Sequence, residues 1–247
     1  MHGIGTLVNC GAVILGSVFG LLAKGGLPKR FEKTIFSAVG LAVIFIGLGG
    51  ALSQLLVIDG TSISTRYTMM IVLALVLGAV FGELLDIEAR LDRTGEWVKK
   101  KLPQKLTGST FVDGFVTASM LFCVGAMAIV GSLNDGLTGD CTILFTKSVL
   151  DFITAILLSA SLGFGVAMSV IPLLLYQGGI TLLAQLIRPY MTAELIGQLS
   201  CVGSILIVAI GINVVFGKKL KVGNLLPAML FPILLAVLKA FFPNIPF

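Results

Sequence analysis

Long apolar runs alternate with short polar joints along this chain, and the runs have the length of membrane-crossing helices. About 20 predominantly apolar residues are needed for a helix to cover about 30 Å of hydrocarbon. Runs of that order lie at 3–23, 35–58, 67–85, 111–130 and 143–161, then at 166–187, 193–216 and 225–242. The pattern predicts an all-α polytopic membrane protein of eight transmembrane helices. Only Leu162-Gly163-Phe164-Gly165 separates the fifth run from the sixth, so a tight hairpin is expected at 163–165. The first run has basic residues behind it and none ahead of it. That is the reverse of a cleaved signal peptide, so it is read as a retained helix.

Charge placement orients the runs. Lys24, Lys29, Arg30 and Lys33 follow the first, and Arg90, Arg93, Lys99, Lys100, Lys101 and Lys105 follow the third. Lys218, Lys219 and Lys221 follow the seventh. With eight spans these thirteen of the 17 basic residues share one side, which the positive-inside rule makes cytoplasmic, and both termini lie outside. Merging the fifth and sixth runs would expel Lys218–Lys221 to the wrong face. Trp97 stands beside Lys99, Lys100 and Lys101, an aromatic and basic cluster suited to anionic headgroups.

Composition narrows the class further. The chain is 57% hydrophobic and 12% charged with mean hydropathy +1.07, against roughly 45–50% apolar and about 25% charged in soluble domains. A soluble enzyme, a nucleic-acid-binding domain and a disordered chain are excluded. The four Cys (Cys10, Cys123, Cys141, Cys201) show no paired spacing, and His2 is the single histidine, so no histidine metal cluster or proton relay is available.

A shift of 161 positions overlays Leu21-Leu-Ala23 on Leu182-Leu-Ala184, Pro28 on Pro189, Ile35 on Ile196, Ile44 on Ile205 and Gly50 on Gly211. Leu73, Val76 and Leu77 fall on Leu234, Val237 and Leu238. Spans 1–3 thus map onto spans 6–8, five spans apart and therefore inverted, around an unrepeated pair 4–5. Inverted repeats around a midplane site recur in transporters. The expected organisation is one transmembrane domain over 1–247. It divides into a repeat unit at 1–85, a basic cytoplasmic loop at 86–110, a central pair at 111–165 with an external loop at 131–142, and a second unit at 166–247.

Ionisable side chains inside spans cost roughly 2.5–3.5 kcal/mol on insertion scales and point to function by default. Asp151 lies about eight residues into the fifth run, hence ~12 Å along a helix. Lys147 is one turn earlier on the same face, where it either pins the carboxylate structurally or competes with an ion for it. Asp113 opens the fourth run with Thr117 one turn on, as a helix cap or as an ion ligand. Asn9, Gln177 and Asn213 are uncharged but costly unless hydrogen-bonded. Pro172 and Gly178-Gly179 mark an expected helix break beside Gln177. Asn134, Asp135, Thr138 and Asp140 offer hard oxygen ligands in the 131–142 loop, either as an ion-gathering vestibule or as a plain Asn-Asp-Gly turn. Gly16 with Gly20 and Gly78 with Gly82 are G-x-x-x-G pairs for close helix packing, within the chain or in a homodimer.

Several stretches together resemble the bacterial inner-membrane family of unknown function that includes YqgA and YdfK. They are Gly5-Thr-Leu-Val-Asn9 with Gly16-Ser17, Gly82-Glu-Leu-Leu-Asp86-Ile-Glu, the Gly131–Asp140 loop and Lys147-Ser-Val-Leu-Asp151. Leu175-Tyr-Gln-Gly178, Gly211-Ile-Asn213 and Asn224-Leu-Leu-Pro227 complete them. The resemblance covers nearly the whole chain and implies an inner-membrane location. The family carries an old label of sodium channel or pump and supplies no catalytic residues.

The expected function is therefore a transporter or channel for a monovalent cation, Na⁺ foremost, or a small cationic solute. The expected ligands are Asp151, Lys147, Gln177, Asn9, Asn213, Asp113 and Thr117. The alternatives are a non-transporting sensor, scaffold or lipid-interacting protein, and an intramembrane enzyme. Neither G-x-S-x-G nor H-E-x-x-H is present and the carboxylates start at opposite faces, so no enzymatic activity and no cofactor are expected.

Overall fold

A computed structural model describes residues 3–24, 29–124, 126–217 and 219–241. In chain order the helices are α1 (Ile4–Lys24), α2 (Lys29–Leu55), α3 (Thr68–Leu85), α4 (Ile87–Lys100), α5 (Phe111–Cys123), α6 (Ala126–Thr138) and α7 (Thr142–Leu162). Then come α8 (Gly165–Met168), α9 (Val170–Leu182), α10 (Ala184–Ile187), α11 (Ala193–Phe216), α12 (Val222–Leu225) and α13 (Leu230–Phe241). Among the described residues, five stretches are long and apolar enough to cross a membrane: Ile4–Ala23, Thr68–Leu85, Thr142–Leu162, Gly165–Leu182 and Ala193–Phe216. The pair Phe111–Cys123 and Met127–Thr138, bent by 60°, makes a sixth, and shorter apolar helices lie at Gly40–Leu55 and Val222–Leu238. This is the architecture of a multi-pass membrane protein.

Small residues set how the helices meet. Without a hydrophobic driving force in lipid, close backbone approach is what holds helices together. A Cβ on Gly16 would lie 2.4 Å from the Phe152 carbonyl oxygen, and one on Gly20 would lie 2.2 Å from that of Ile156. The two numberings rise together, so α1 and α7 run parallel. Along α2 and α11 they run opposite: Gly40 faces Gly211 and Gly50 faces Ser204. At Gly82 a Cβ would sit 1.8 Å from the Asn224 oxygen, and at Gly78 it would sit 2.4 Å from the Ala228 nitrogen, so α3 opposes α12 and the turn after it. The faces offered to a second protomer at Gly16, Gly20, Gly78 and Gly82 are thus filled within the chain. Phe111, Phe122, Leu158, Leu173 and Leu206 form the inner core, while Leu22, Phe45, Leu84, Leu175 and Leu182 face outward as a lipid-facing surface would.

The structure departs from the sequence expectation at four places. The second apolar run does not end as helix at 58. Leu56–Asp59 and Ser62–Thr65 pair as antiparallel strands β1 and β2, and their two-residue connection, Gly60-Thr61, holds Gly60 at φ 58, with glycine at the first central position as two-residue hairpin turns allow. The basic segment does not continue the third span: Asp86, at φ 49, closes α3 through bonds from its N–H to Glu83 and Gly82 and sends α4 off as a separate helix. The helix is unbroken from Val170 to Leu182, because Pro172 is the third residue of α9, where a missing N–H has no helical partner to lose. The break falls instead between α5 and α6. The expected loop at 131–142 is helical as far as Thr138, and the turn shifts to Gly139 at φ 74.

Candidate functional site

The centre of the molecule holds a buried ion pair. Asp151 is the tenth of the 21 residues of α7, about 15 Å from either end at 1.5 Å per residue. Lys147, one turn earlier, donates from Nζ to Asp151 Oδ2, and the two residues are 5% and 7% exposed. Asn9 on α1 donates from Nδ2 to the same carboxylate oxygen at 2.9 Å and to Gln177 Oε1 on α9 at 3.2 Å. Asn9 and Gln177 are fully buried, and Asn9 Oδ1 and Gln177 Nε2 have no hydrogen-bond partner among the described residues. The Phe122 ring of α5 lies 6.0 Å from Lys147 Nζ. Groups of α1 and α7 thus meet at one carboxylate, and α9 joins them through Asn9. A buried charge survives only when paired and hydrogen-bonded, and Lys147 and Asn9 supply both.

A cavity of about 290 Å³ adjoins the pair, lined by Lys147 and Asp151 themselves. Lys147, Asp151 and Thr154 form one wall, Ser200 and Ser204 of α11 another, and Gly50 of α2 a third. Leu121, Val124 and Met127 bring the α5–α6 break to the same space. The last carbonyls of α5 are released from helical bonding there and carry the negative end of the helix dipole. Among the described residues no three His, Cys, Asp or Glu side chains come together as a metal-holding group.

The remaining expected site residues lie elsewhere. Asp113, Thr117 and Asn213 line a second cavity of about 280 Å³ together with Glu88 and Thr110. Asn213 closes the end of α11: its Nδ2 donates to Leu220 O at 2.7 Å, and its Oδ1 accepts the N–H groups of Lys219 and Leu220 at 2.9 Å each. It contributes nothing to Asp151. Asp135 is fully buried and accepts the N–H groups of Gly3 at 2.9 Å and Gly5 at 3.0 Å, so it anchors the start of α1 rather than lining a vestibule. Asn134 is half-buried, and its carbonyl receives Thr138. Asp140 is exposed and accepts the Thr142 N–H at 3.0 Å, and hydrogen bonding from Thr142 holds its carboxyl below the usual carboxylate range. Burial, and then the Asp135 carboxylate, push the Cys141 thiol up.

Sequence reasoning missed one cluster. Glu83 accepts from Asn224 Nδ2 at 2.6 Å and from Lys221, whose ammonium is held above its ordinary range by that bond. Asn224 Oδ1 accepts the Glu88 N–H at 2.7 Å, and Glu88 Oε2 accepts the Gly223 N–H at the start of α12. The only signal was the joint appearance of 82–88 and 224–227 among the resembling stretches.

The chain is 33% identical over 238 residues, 96% of its length and 97% of the relative's, to the uncharacterized membrane protein YdfK of Bacillus subtilis (strain 168). It is 35% identical over 230 residues to the uncharacterized protein YqgA of Escherichia coli (strain K12), covering 92% of this chain and 93% of that one. No solved structure matches it. The residues that build the Asp151 centre and the Glu83–Asn224 lock all fall within 4–237, the span matched by a family model, and the chain therefore belongs to the family described as protein of unknown function (DUF554).

Proposed function

We propose that the protein carries a monovalent cation, Na⁺ foremost, or a small cationic solute across the bacterial inner membrane, with Asp151 as the central ligand. The observation that carries this reading is the Lys147–Asp151 pair, buried midway along α7 at the wall of a cavity that also meets the α5–α6 break. Intramembrane carboxylates mark ion pathways, and interrupted helices present free carbonyls to cations. Asp113 and Asp151 line separate cavities, which favours a carrier over an enzyme built on paired carboxylates.

An eight-span inverted repeat suits this reading. A two-fold axis relating spans 1–3 to spans 6–8 makes residues 161 apart face each other at the crossing of α2 and α11. Gly47 and Val208 are such a pair, and a Cβ on Gly47 would lie 2.7 Å from the Val208 nitrogen. The antiparallel pairing of α3 with α12 has the same form. On the cytoplasmic side of this arrangement Trp97 is exposed with Lys101 Nζ 5.7 Å from its ring, a headgroup anchor for anionic lipid.

The test is cation flux into liposomes holding the purified protein, followed with a cation-sensitive dye. Asp151→Asn keeps the shape and removes the charge, and it is expected to stay folded and lose the flux. Undiminished flux in that variant overturns the reading. The close fit of Lys147 and Asn9 to Asp151 favours a second reading, a purely structural pair. That reading wins when wild type moves no cation and the variant loses thermal stability.

A further inference from the structure

We infer that a cation binds at Asp151 only in exchange for the Lys147 proton, so the carrier works as an electroneutral cation–proton exchanger. The inference rests on the transport reading above and adds its coupling.

Charge at the site carries the argument. Among the described residues, Lys147 and Asp151 are the charged groups lining their cavity, and they cancel. The titratable groups near Lys147 on other helices are Cys10 of α1 and Cys123 of α5, with Tyr176 of α9 in electrostatic range of Cys123. Among the described residues, the lining contributed by α2, α6 and α11 carries no titratable side chain. A cation arriving at Asp151 beside a protonated Lys147 would place two positive charges on one carboxylate, both withdrawn from water. An uncompensated charge in that setting is strongly disfavoured. The site returns to neutrality when one N–H bond of the Lys147 ammonium breaks. The electron pair stays on Nζ, the proton passes to water, and the cation takes the place of the ammonium on Asp151 Oδ2. One cation in and one proton out leave the charge unchanged in every state.

The amides beside the carboxylate suit both states. Asn9 gives Asp151 its Nδ2 while its own Oδ1 is buried and unpartnered. Turning that amide over presents a neutral oxygen to the bound cation and breaks only the bonds from Nδ2. Gln177 Nε2, also buried and without a partner among the described residues, can turn with it and donate to Asn9 Oδ1, whose second lone pair remains for the cation. No charged group has to move through the membrane for the swap.

The experiment uses the full chain in liposomes, an internal pH dye and a Na⁺ dye, with the membrane potential clamped by K⁺ and valinomycin. An inward Na⁺ gradient is expected to drive protons out at one per Na⁺, at a rate that the clamped potential does not change. Lys147→Gln leaves Asp151 without its tethered competitor. In that variant the count is expected to fall from one proton per Na⁺ to none, and uptake should become potential-driven and independent of pH. Na⁺ uptake by wild type that follows the potential without proton counterflow overturns the exchange and leaves the transport reading standing. Absence of Na⁺, K⁺ and Li⁺ flux overturns both. If Lys147→Gln fails to fold, the wild-type count and its response to potential decide alone.

Discussion

At the scale of single residues, the buried carboxylates Asp151 and Asp135 each draw a partner from far along the chain. Asp151 receives Lys147 from its own helix but Asn9 from 142 residues away, and Asp135 receives Gly3 and Gly5 across 132 and 130 residues. Removing one partner of a buried ion pair typically costs about 3–5 kcal/mol, whereas replacing both with apolar groups of similar volume is often neutral. Lys147→Met is therefore expected to lower the melting temperature of the detergent-purified protein, and so is Asp151→Leu. The double variant should melt close to wild type, a non-additivity that a double-mutant cycle reads directly. At the exposed start of α7, Asp140 has a lowered folded value, so its contribution is complete above its unfolded value of about pH 4 and is lost as the pH falls through the folded one. Protection from hydrogen exchange in the first turn of α7, taken relative to the intrinsic rate at each pH, should fall over that acid range while that of the centre of α7 does not. The i,i+4 spacing made Lys147 and Asp151 legible in the sequence, and burial cost made Asn9 and Gln177 legible singly. They stand with Asp151 among the expected ligands, and the structure brings them together there, but nothing local in α1 or α9 says which atoms bond which. Asn213 misled for the converse reason: a turn six residues later satisfies it.

At the scale of elements, glycine decides where helices touch. The G-x-x-x-G spacing correctly marked close packing in α1 and α3, but the partner helices came only from the structure. Two glycines make a controlled comparison. A Cβ on Gly82 meets the Asn224 backbone at 1.8 Å, whereas one on Gly11 meets nothing within 4 Å. Gly82→Ala has to push α12 away from α3 and loosen the Glu83–Asn224 bond, and overpacking of this kind costs about 1–3 kcal/mol or more. Gly11→Ala should be neutral or stabilising by up to about 1 kcal/mol through its effect on the unfolded chain. Thermal melts of the two variants side by side check the contrast, and equal melting temperatures would refute the packing assigned to α3. Turn and break signals were less informative than spacing. Pro172 sits where a helix tolerates it, and Asn134-Asp135-Gly136 stays helical because the Asp135 side chain is engaged with the start of α1. The real interruption follows Val124, where a single glycine was the sole local sign.

At the scale of the whole molecule, helix directions and charge placement make the same argument independently. α1 and α7 run parallel, as they must if an even number of crossings separates their starts. α2 opposes α11 and α3 opposes α12, as an odd number requires. The N-terminal ends of α1 and α7 meet at Asp135, and the β1–β2 hairpin lies where α2 hands over to α3. The proposed eight alternating crossings would satisfy all of these relations, with the bent α5–α6 pair as one crossing and α8–α9 as another. They also gather the basic residues that follow α3 and α11 at one end of the bundle, which the positive-inside rule assigns to the cytoplasm. Topology reporters fused after Lys105 and after Lys221 are therefore both expected to read cytoplasmic, and one inserted at Gly60 between the strands should read external. The fusion after Lys221 is the decisive one. Were the chain to cross once rather than twice between Thr142 and Leu182, α11 would be inverted and that reporter would read external. The parallel contact of α1 with α7 would survive such a result, but the proposed alternation, the proposed inverted repeat and the reading of Asp151 as a mid-depth ligand would not.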